Sequence, residues 1–158
     1  MSTVTAGFVW GLTRIAIGFV FFWAFLDKMF GLGKSTPSAK AWIHGGSPTT
    51  GFLDSVSGPF AGFFHGMAGQ TWADYLFMIG LCGIGAALIL GVAMRLATLG
   101  GVVLLVFMWM ASLPVKTNPF LDEHLIYALV LIGLALVHAD RKIGLGTWWQ
   151  RLPVVGRL

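Results

Sequence analysis

Residues 75–94 read Y-L-F-M-I-G-L-C-G-I-G-A-A-L-I-L-G-V-A-M, and residues 96–115 read L-A-T-L-G-G-V-V-L-L-V-F-M-W-M-A-S-L-P-V. Each run holds twenty residues without Asp, Glu, Lys or Arg, and only Arg95 separates them. At 1.5 Å per residue, twenty helical residues cover about 30 Å, the thickness of a bilayer's hydrocarbon core. The whole composition agrees. Of 158 residues, 57% are apolar and 10% charged, with a mean hydropathy of +0.84. A soluble domain carries about 25% charged residues, so this chain cannot clothe itself against water, and it is too hydrophobic to stay disordered. The class is an all-α integral membrane protein.

Two further apolar segments flank the central pair. The first spans about 4–26 and is interrupted by Arg14; the last spans about 121–139, with Asp122, Glu123 and His124 at one end and His138 and Asp140 at the other. With 75–94 and 96–114 they make four spans in one domain, 1–158. The short links at Arg95 and at 114–119 force antiparallel neighbours, so the expected fold is an antiparallel four-helix transmembrane bundle. No basic stretch precedes the first span and no cleavage-like site follows it, so it is expected to remain as a helix. Gly7 and Gly11, and Gly83, Ala87 and Gly91, repeat at four-residue spacing, as helix-packing faces in lipid do.

Four spans put both termini on one side. Arg95, Arg141, Lys142, Arg151 and Arg157, with Arg14 nearer to them, oppose Lys28, Lys34, Lys40 and Lys116. The excess places both termini in the cytoplasm, with 140–158 as a cytoplasmic tail. Trp148 and Trp149 fit an interfacial anchor there. The net charge of +4 comes without a basic run, so it sets topology and touches lipid rather than nucleic acid. The single Cys82 excludes a disulfide within the chain and a C-x-x-C pair. The connection 27–72 has 46 residues with nine glycines, too long for a structureless loop without a task. Residues 59–68, P-F-A-G-F-F-H-G-M-A, are apolar and too short to span. They are expected to form a short helix in the outer interface, or a re-entrant cap.

Ionisable groups at membrane depth are costly and point to function. Gly11, Arg14 and Gly18 fall within about 60° on a helix, so Arg14 faces the bundle. Its expected partner is Asp140, the one carboxylate at that end, as a structural ion pair. At the outer end, Asp122 and Glu123 suit a helix N-terminus, whereas His124, with Tyr127 at i+3, has no such explanation. Lys28 shares the inward face of the first helix, with Trp23 nearby. A pocket lined by Trp23, Lys28, His124 and Tyr127, under an aromatic loop, matches a flat redox-active headgroup such as a quinone, with Glu123 and His124 handling protons. Haem b is not expected, because the two histidines at span depth, His124 and His138, lie on one helix. No flavin, nucleotide or metal motif is present.

Two stretches carry a family likeness. R-I-A-I-G-F-V-F-F-W-A-F-L-D-K-M-F-G, residues 14–31, resembles the first-helix signature of the DoxX/DoxD family, and N-P-F-L-D-E-H-L-I-Y-A-L-V-L, residues 118–131, resembles the start of that family's last helix. The likeness covers the chain, and the long first loop is closest to the DoxD-like branch. It implies a multi-pass protein of the prokaryotic plasma membrane. One branch is the membrane subunit of thiosulfate:quinone oxidoreductase, with a separate small subunit outside the membrane; other members are accessory proteins linked to oxidative stress. The matching positions are Arg14, Asp27, Lys28, Asn118, Glu123 and His124. Two functions follow as expectations: a quinone-binding subunit in sulfur-compound oxidation, or a non-catalytic subunit that assembles or stabilises a larger respiratory complex, alone or as a homo-oligomer.

Overall fold

A computed structural model describes residues 3–116 and 118–153. Arg157, counted in the charge tally, lies outside the described residues. Among the described residues, seven α-helices follow one another: α1 (Thr3–Phe30), α2 (Thr50–Ser55), α3 (Ala61–His65), α4 (Thr71–Leu90), α5 (Met94–Ser112), α6 (Glu123–Leu136) and α7 (Gly146–Trp149). Two 3-10 turns, Ser38–Lys40 and Trp42–His44, sit in the long connection. The described chain is all-helical. Three helices, α1, α4 and α5, are long and apolar enough to cross a membrane, and α6 is a shorter apolar helix of 14 residues.

Glycines set the helix limits more than charges do. The first helix runs past Asp27 and Lys28 to Phe30, because Gly31, at φ 64°, is the first residue to leave the right-handed region. Its N–H still closes onto the Asp27 carbonyl at 2.8 Å. Likewise α4 stops at Gly91, at φ 73°, and Arg95 falls in the first turn of α5 rather than in the turn before it. A charge marks where hydrocarbon depth ends; it does not break a helix. At the far end, α6 is shorter than 121–139. Asp122 caps its start, accepting from the N–H groups of His124 and Leu125. Its end is a Schellman closure, with Ala139 N–H on the Leu134 carbonyl at 3.1 Å and His138 left-handed at φ 50°, a position usually given to glycine.

The helices α1 and α4 pack along each other, as do α5 and α6, while α4 joins the two pairs. A Cβ on Gly18 would stand 2.9 Å from the backbone N of Ile89, and one on Gly85 would stand 2.6 Å from the backbone N of Phe22. Rising numbers on α1 meet falling numbers on α4, so the pair is antiparallel and in backbone contact. The packing glycines are therefore Gly18 and Gly85. Gly83 faces open space, and Gly7 and Gly11 lie under Lys142 and Ile143. The core between the four helices holds Ile17, Phe21, Leu81, Ile84, Leu88, Leu105, Leu131 and Leu134. The outside is apolar as well: Leu76, Ile79, Leu99 and Leu129 are exposed, and Leu136 is 75% exposed. A water-soluble monomer rarely shows so much apolar surface; a bilayer covers it.

The long connection is built. Asp27 is buried at the end of α1 and accepts from the N–H groups of Lys34, Ser35 and Thr36 and from Ser35 Oγ, at 2.7–3.1 Å. Asp74, in the first turn of α4, accepts from Ser47 Oγ at 2.8 Å and from Thr49 Oγ1 at 2.6 Å. Trp42 stands edge-on to Tyr75, at 5.1 Å between ring centres. Helix α3 falls within 59–68, where a short helix is expected. With α2 it forms a second apolar cluster, in which Leu53, Val56 and Phe64 pack on Ala111 of α5, and Phe63 stacks on Phe107 at 6.0 Å. This connection and the start of α6 share one end of the bundle, the loop end. The start of α1 and residues 138–153 share the other, the tail end.

Candidate functional site

At the loop end, His124 is held by Asp122. The imidazole Nδ1 lies 2.8 Å from Asp122 Oδ2, and Ser112 Oγ donates to the same oxygen at 2.7 Å. One carboxylate thus caps α6, orients an imidazole and ties α6 back to the last turn of α5. Asp122 stands in the connection, just outside α6. Desolvation alone would raise its pKa; the hydrogen bonds from His124, Ser112 and Leu125 N–H, and the His124 charge, outweigh that and hold it below the ordinary carboxylate value. Asn118 shapes the approach: its Oδ1 accepts from Phe120 N–H at 3.1 Å, and the indole Nε1 of Trp109 donates to the Phe120 carbonyl at 2.6 Å.

The other residues of the expected pocket are placed as follows. Glu123 is exposed in the first turn of α6, and Tyr127, one turn beyond His124, is 37% exposed. Lys28 is half-buried near the end of α1, and Trp23 packs on Phe19 at 5.9 Å. Among the described residues, no hydrogen bond or ion pair joins Trp23, Lys28, Glu123 or Tyr127 to His124. The bonded partner of His124 is Asp122, whose helix-capping role hid its second role in the sequence. The signal was the D-x-H spacing at a helix start. Residues 59–68 lie against α5, where Phe64 packs on Ala111, the neighbour in sequence of Ser112.

At the tail end, Arg14 is the most deeply buried polar side chain, at 0% exposure. Its Nη1 donates to the Leu88 carbonyl at 2.7 Å and its Nη2 to the Ile143 carbonyl at 2.5 Å, while Nε has no partner. The arrangement follows from how α4 ends. The last four carbonyls of a helix have no partner within it, and here other segments supply the donors. The Ala87 carbonyl takes the N–H groups of Gly91 and Val92, Leu88 takes Arg14, and Leu90 takes Leu145 N–H at 2.8 Å. A cation at a helix C-terminus is also favoured by the helix dipole. Gly91 and Gly144 make the room: a Cβ on Gly144 would stand 2.9 Å from Nη2, and one on Gly91 would stand closer still to Nη1. Asp140 is buried nearby and attracts the guanidinium by its charge. Its hydrogen bond, however, comes from Gln150 Nε2 at 2.9 Å. Arg14 and Asp140 are thus brought into one region without direct contact, and Arg14 acts as a cap shared by α4 and the tail.

Two clefts open at this same end. One, of about 310 Å³, lies between α1 and the turn after α6; the other, of about 270 Å³, lies between the α4–α5 turn and α7. Neither is lined by Trp23, Lys28, Glu123, His124 or Tyr127. Comparison with family models, curated proteins and solved structures gave no match.

Proposed function

We propose that this chain is a small DoxX/DoxD-like subunit of the prokaryotic plasma membrane that binds a quinone at its loop end and takes part in membrane redox chemistry, with thiosulfate or another reduced sulfur compound as the electron source. In this reading α1, α4, α5 and the shorter α6 all cross the bilayer. The fourth, α6, covers about 21 Å at 1.5 Å per residue, and its polar ends meet the two interfaces where the bilayer thins to match it. Both termini are cytoplasmic and the long connection is outside. Ser57, exposed and without a side-chain hydrogen bond among the described residues, tests this. A Ser57→Cys, Cys82→Ala variant is labelled by an impermeant thiol reagent in intact cells. Labelling only after lysis reverses the orientation.

The observation that carries the quinone reading is the Asp122–His124 pair. An ionised carboxylate has no proton to give, so Nδ1 is the donor and Nε2 is the free atom. Neutral, Nε2 accepts a proton from a hydroxyl; protonated, it donates to a carbonyl. These are the two contacts that a quinol and a quinone ask of a protein, and the group itself supplies a two-electron, two-proton couple. Tyr127 offers a second hydroxyl one turn on, Lys28 a cation, Trp23 an aromatic wall, and exposed Glu123 exchanges protons with water. Organic extraction of the purified chain should yield a quinone near one equivalent. His124→Ala should lose it, and Arg151→Ala should keep it. Absence of quinone from the wild type, together with no saturable quenching of its tryptophan fluorescence by a short-chain quinone, defeats the reading.

One observation favours a non-catalytic assembly subunit instead: among the described residues, no hydrogen bond or ion pair joins the expected pocket residues to one another, while Phe52 and Trp72 of the loop end stand exposed. In that case quinone binding is absent, and the chain migrates with a larger complex that dissociates on Trp72→Ala.

A further inference from the structure

The larger cleft at the tail end has the chemistry of a lipid site. Its walls are Ala6, Gly7 and Trp10 of α1 on one side and His138, Arg141 and Lys142 on the other, and no acidic residue lines it. We propose that this cleft binds the phosphodiester headgroup of an anionic phospholipid, in the leaflet that surrounds the tail end.

Charge comes first. Arg141 and Lys142 are exposed beside His138, giving a planar fork and a mobile ammonium on the same side of the opening. That pair suits one phosphate, the fork holding two oxygens and the ammonium a third. The neighbouring cleft shares His138 and Arg141 and adds Arg95, but is also walled by buried Asp140, whose charge offsets one of those cations, whereas Arg141 and Lys142 are unopposed in the first cleft. The choice between the two clefts is therefore electrostatic.

Shape comes second. The stem of Lys142 lies across Gly7: a Cβ at that position would stand 2.8 Å from Cγ and 3.3 Å from Cε of the lysine. Gly7 therefore opens the floor of the cleft and lets the lysine lie along α1. About 310 Å³ sits at the low end of small-molecule sites, roughly 300–1,000 Å³. That is room for a phosphate and its glycerol but not for acyl chains. The chains have a path outward, because the cleft is open and runs into apolar surface, where Val4, Phe8, Val9 and Val137 are about half exposed. A soluble anion would have no use for that surface. Trp10, 40% exposed, stands where an amphipathic ring meets headgroups.

The test uses the full chain in neutral detergent with phosphatidylglycerol, phosphatidylcholine or inorganic phosphate added. Phosphatidylglycerol should raise the melting temperature and bind saturably, and phosphatidylcholine should do neither. Arg141→Gln with Lys142→Gln should weaken the effect at least about tenfold, as removal of a charge-assisted contact of about 1.5 kcal/mol or more does. Gly7→Leu should weaken it similarly with no change of charge; the side chain it displaces is the flexible lysine, so the fold survives. Lys34→Gln with Lys40→Gln, at the other end, should leave it intact. Equal effects of the two lipids, an equal loss in the Lys34/Lys40 variant, full retention in Gly7→Leu, or the same stabilisation by inorganic phosphate each overturn the proposal.

Discussion

Replacing Arg14 with Ala removes two charge-assisted hydrogen bonds, to the carbonyls of Leu88 and Ile143. It leaves Leu88 among the unpaired carbonyls of α4 and empties a space that Gly91 and Gly144 keep clear. It also leaves Asp140 buried without the cation that attracts it. Hydrogen bonds to charged groups are worth roughly 1.5–3 kcal/mol each, so losing two gives a loss of about 3–6 kcal/mol. The arginine is not thereby a net gain over an apolar core, since burying it also costs; the figure is for removal alone. The assay is denaturation of the purified chain from mild detergent by added SDS, followed by tryptophan fluorescence. Arg151, exposed in the tail, is the control, and Arg151→Ala should change stability by less than about 0.5 kcal/mol. Arg14→Lys should fall between the two, because an ammonium cannot span both carbonyls as a guanidinium does. Asp140→Asn should cost less than Arg14→Ala, because Asp140 makes no hydrogen bond to Arg14. If Arg14→Ala and Arg151→Ala unfold together, Arg14 only reaches past the helix to water and the capping argument fails.

Three other outcomes follow from the same contacts. Asp122 has a lowered pKa in the folded chain. Its contribution is therefore present above the ordinary carboxylate pKa and lost as pH falls through its own; Asp122→Asn should flatten the acid limb of the melting profile and leave the neutral region lowered. Asp27→Asn replaces an acceptor-only group facing three backbone N–H donors with one that also donates, so trypsin should cut at Lys34 and Lys40 about tenfold faster while the helices keep their dichroism. Gly18→Val should destabilise by about 1–3 kcal/mol through overpacking against the α4 backbone, whereas Gly83→Ala, facing open space, should be neutral.

Hydropathy made the long helices legible because α1, α4 and α5 need only length and an apolar surface to suit a bilayer. It was less informative about where they stop. The charges at Asp27, Lys28 and Arg95 drew the eye as boundaries, yet the backbone leaves the helix at Gly31 and Gly91, where a left-handed residue is needed. The four-residue glycine spacing pointed to close packing, but spacing carries no phase. Gly7 and Gly11 face the tail, and the true backbone contact is at Gly18 and Gly85. The phase depends on which neighbour is there, which is a tertiary fact.

The polar groups follow a related rule, and it limits how far a site can be read from one sequence. Asp27 and Asp74 each sit at a helix end and accept from several donors in a connecting segment, whereas Asp122, in a connecting segment, accepts from donors in α5 and α6. Arg14 does the converse, donating to carbonyls at the end of another helix. Most of these donors and acceptors are backbone atoms, which have no letter in the sequence. Pairing Arg14 with Asp140 was a pairing of letters, whereas the guanidinium went to the unlettered carbonyls left open by the end of α4. Asp122 was readable as a cap because a cap is local; its bond to His124 is local too, but its bond from Ser112 of α5 is a tertiary contact that no spacing announces. Among the described residues, His124 keeps a free Nε2 at one end, and Arg141 with Lys142 stand exposed at the other. Helix termination leaves them unused, so they are the groups available to bind something else.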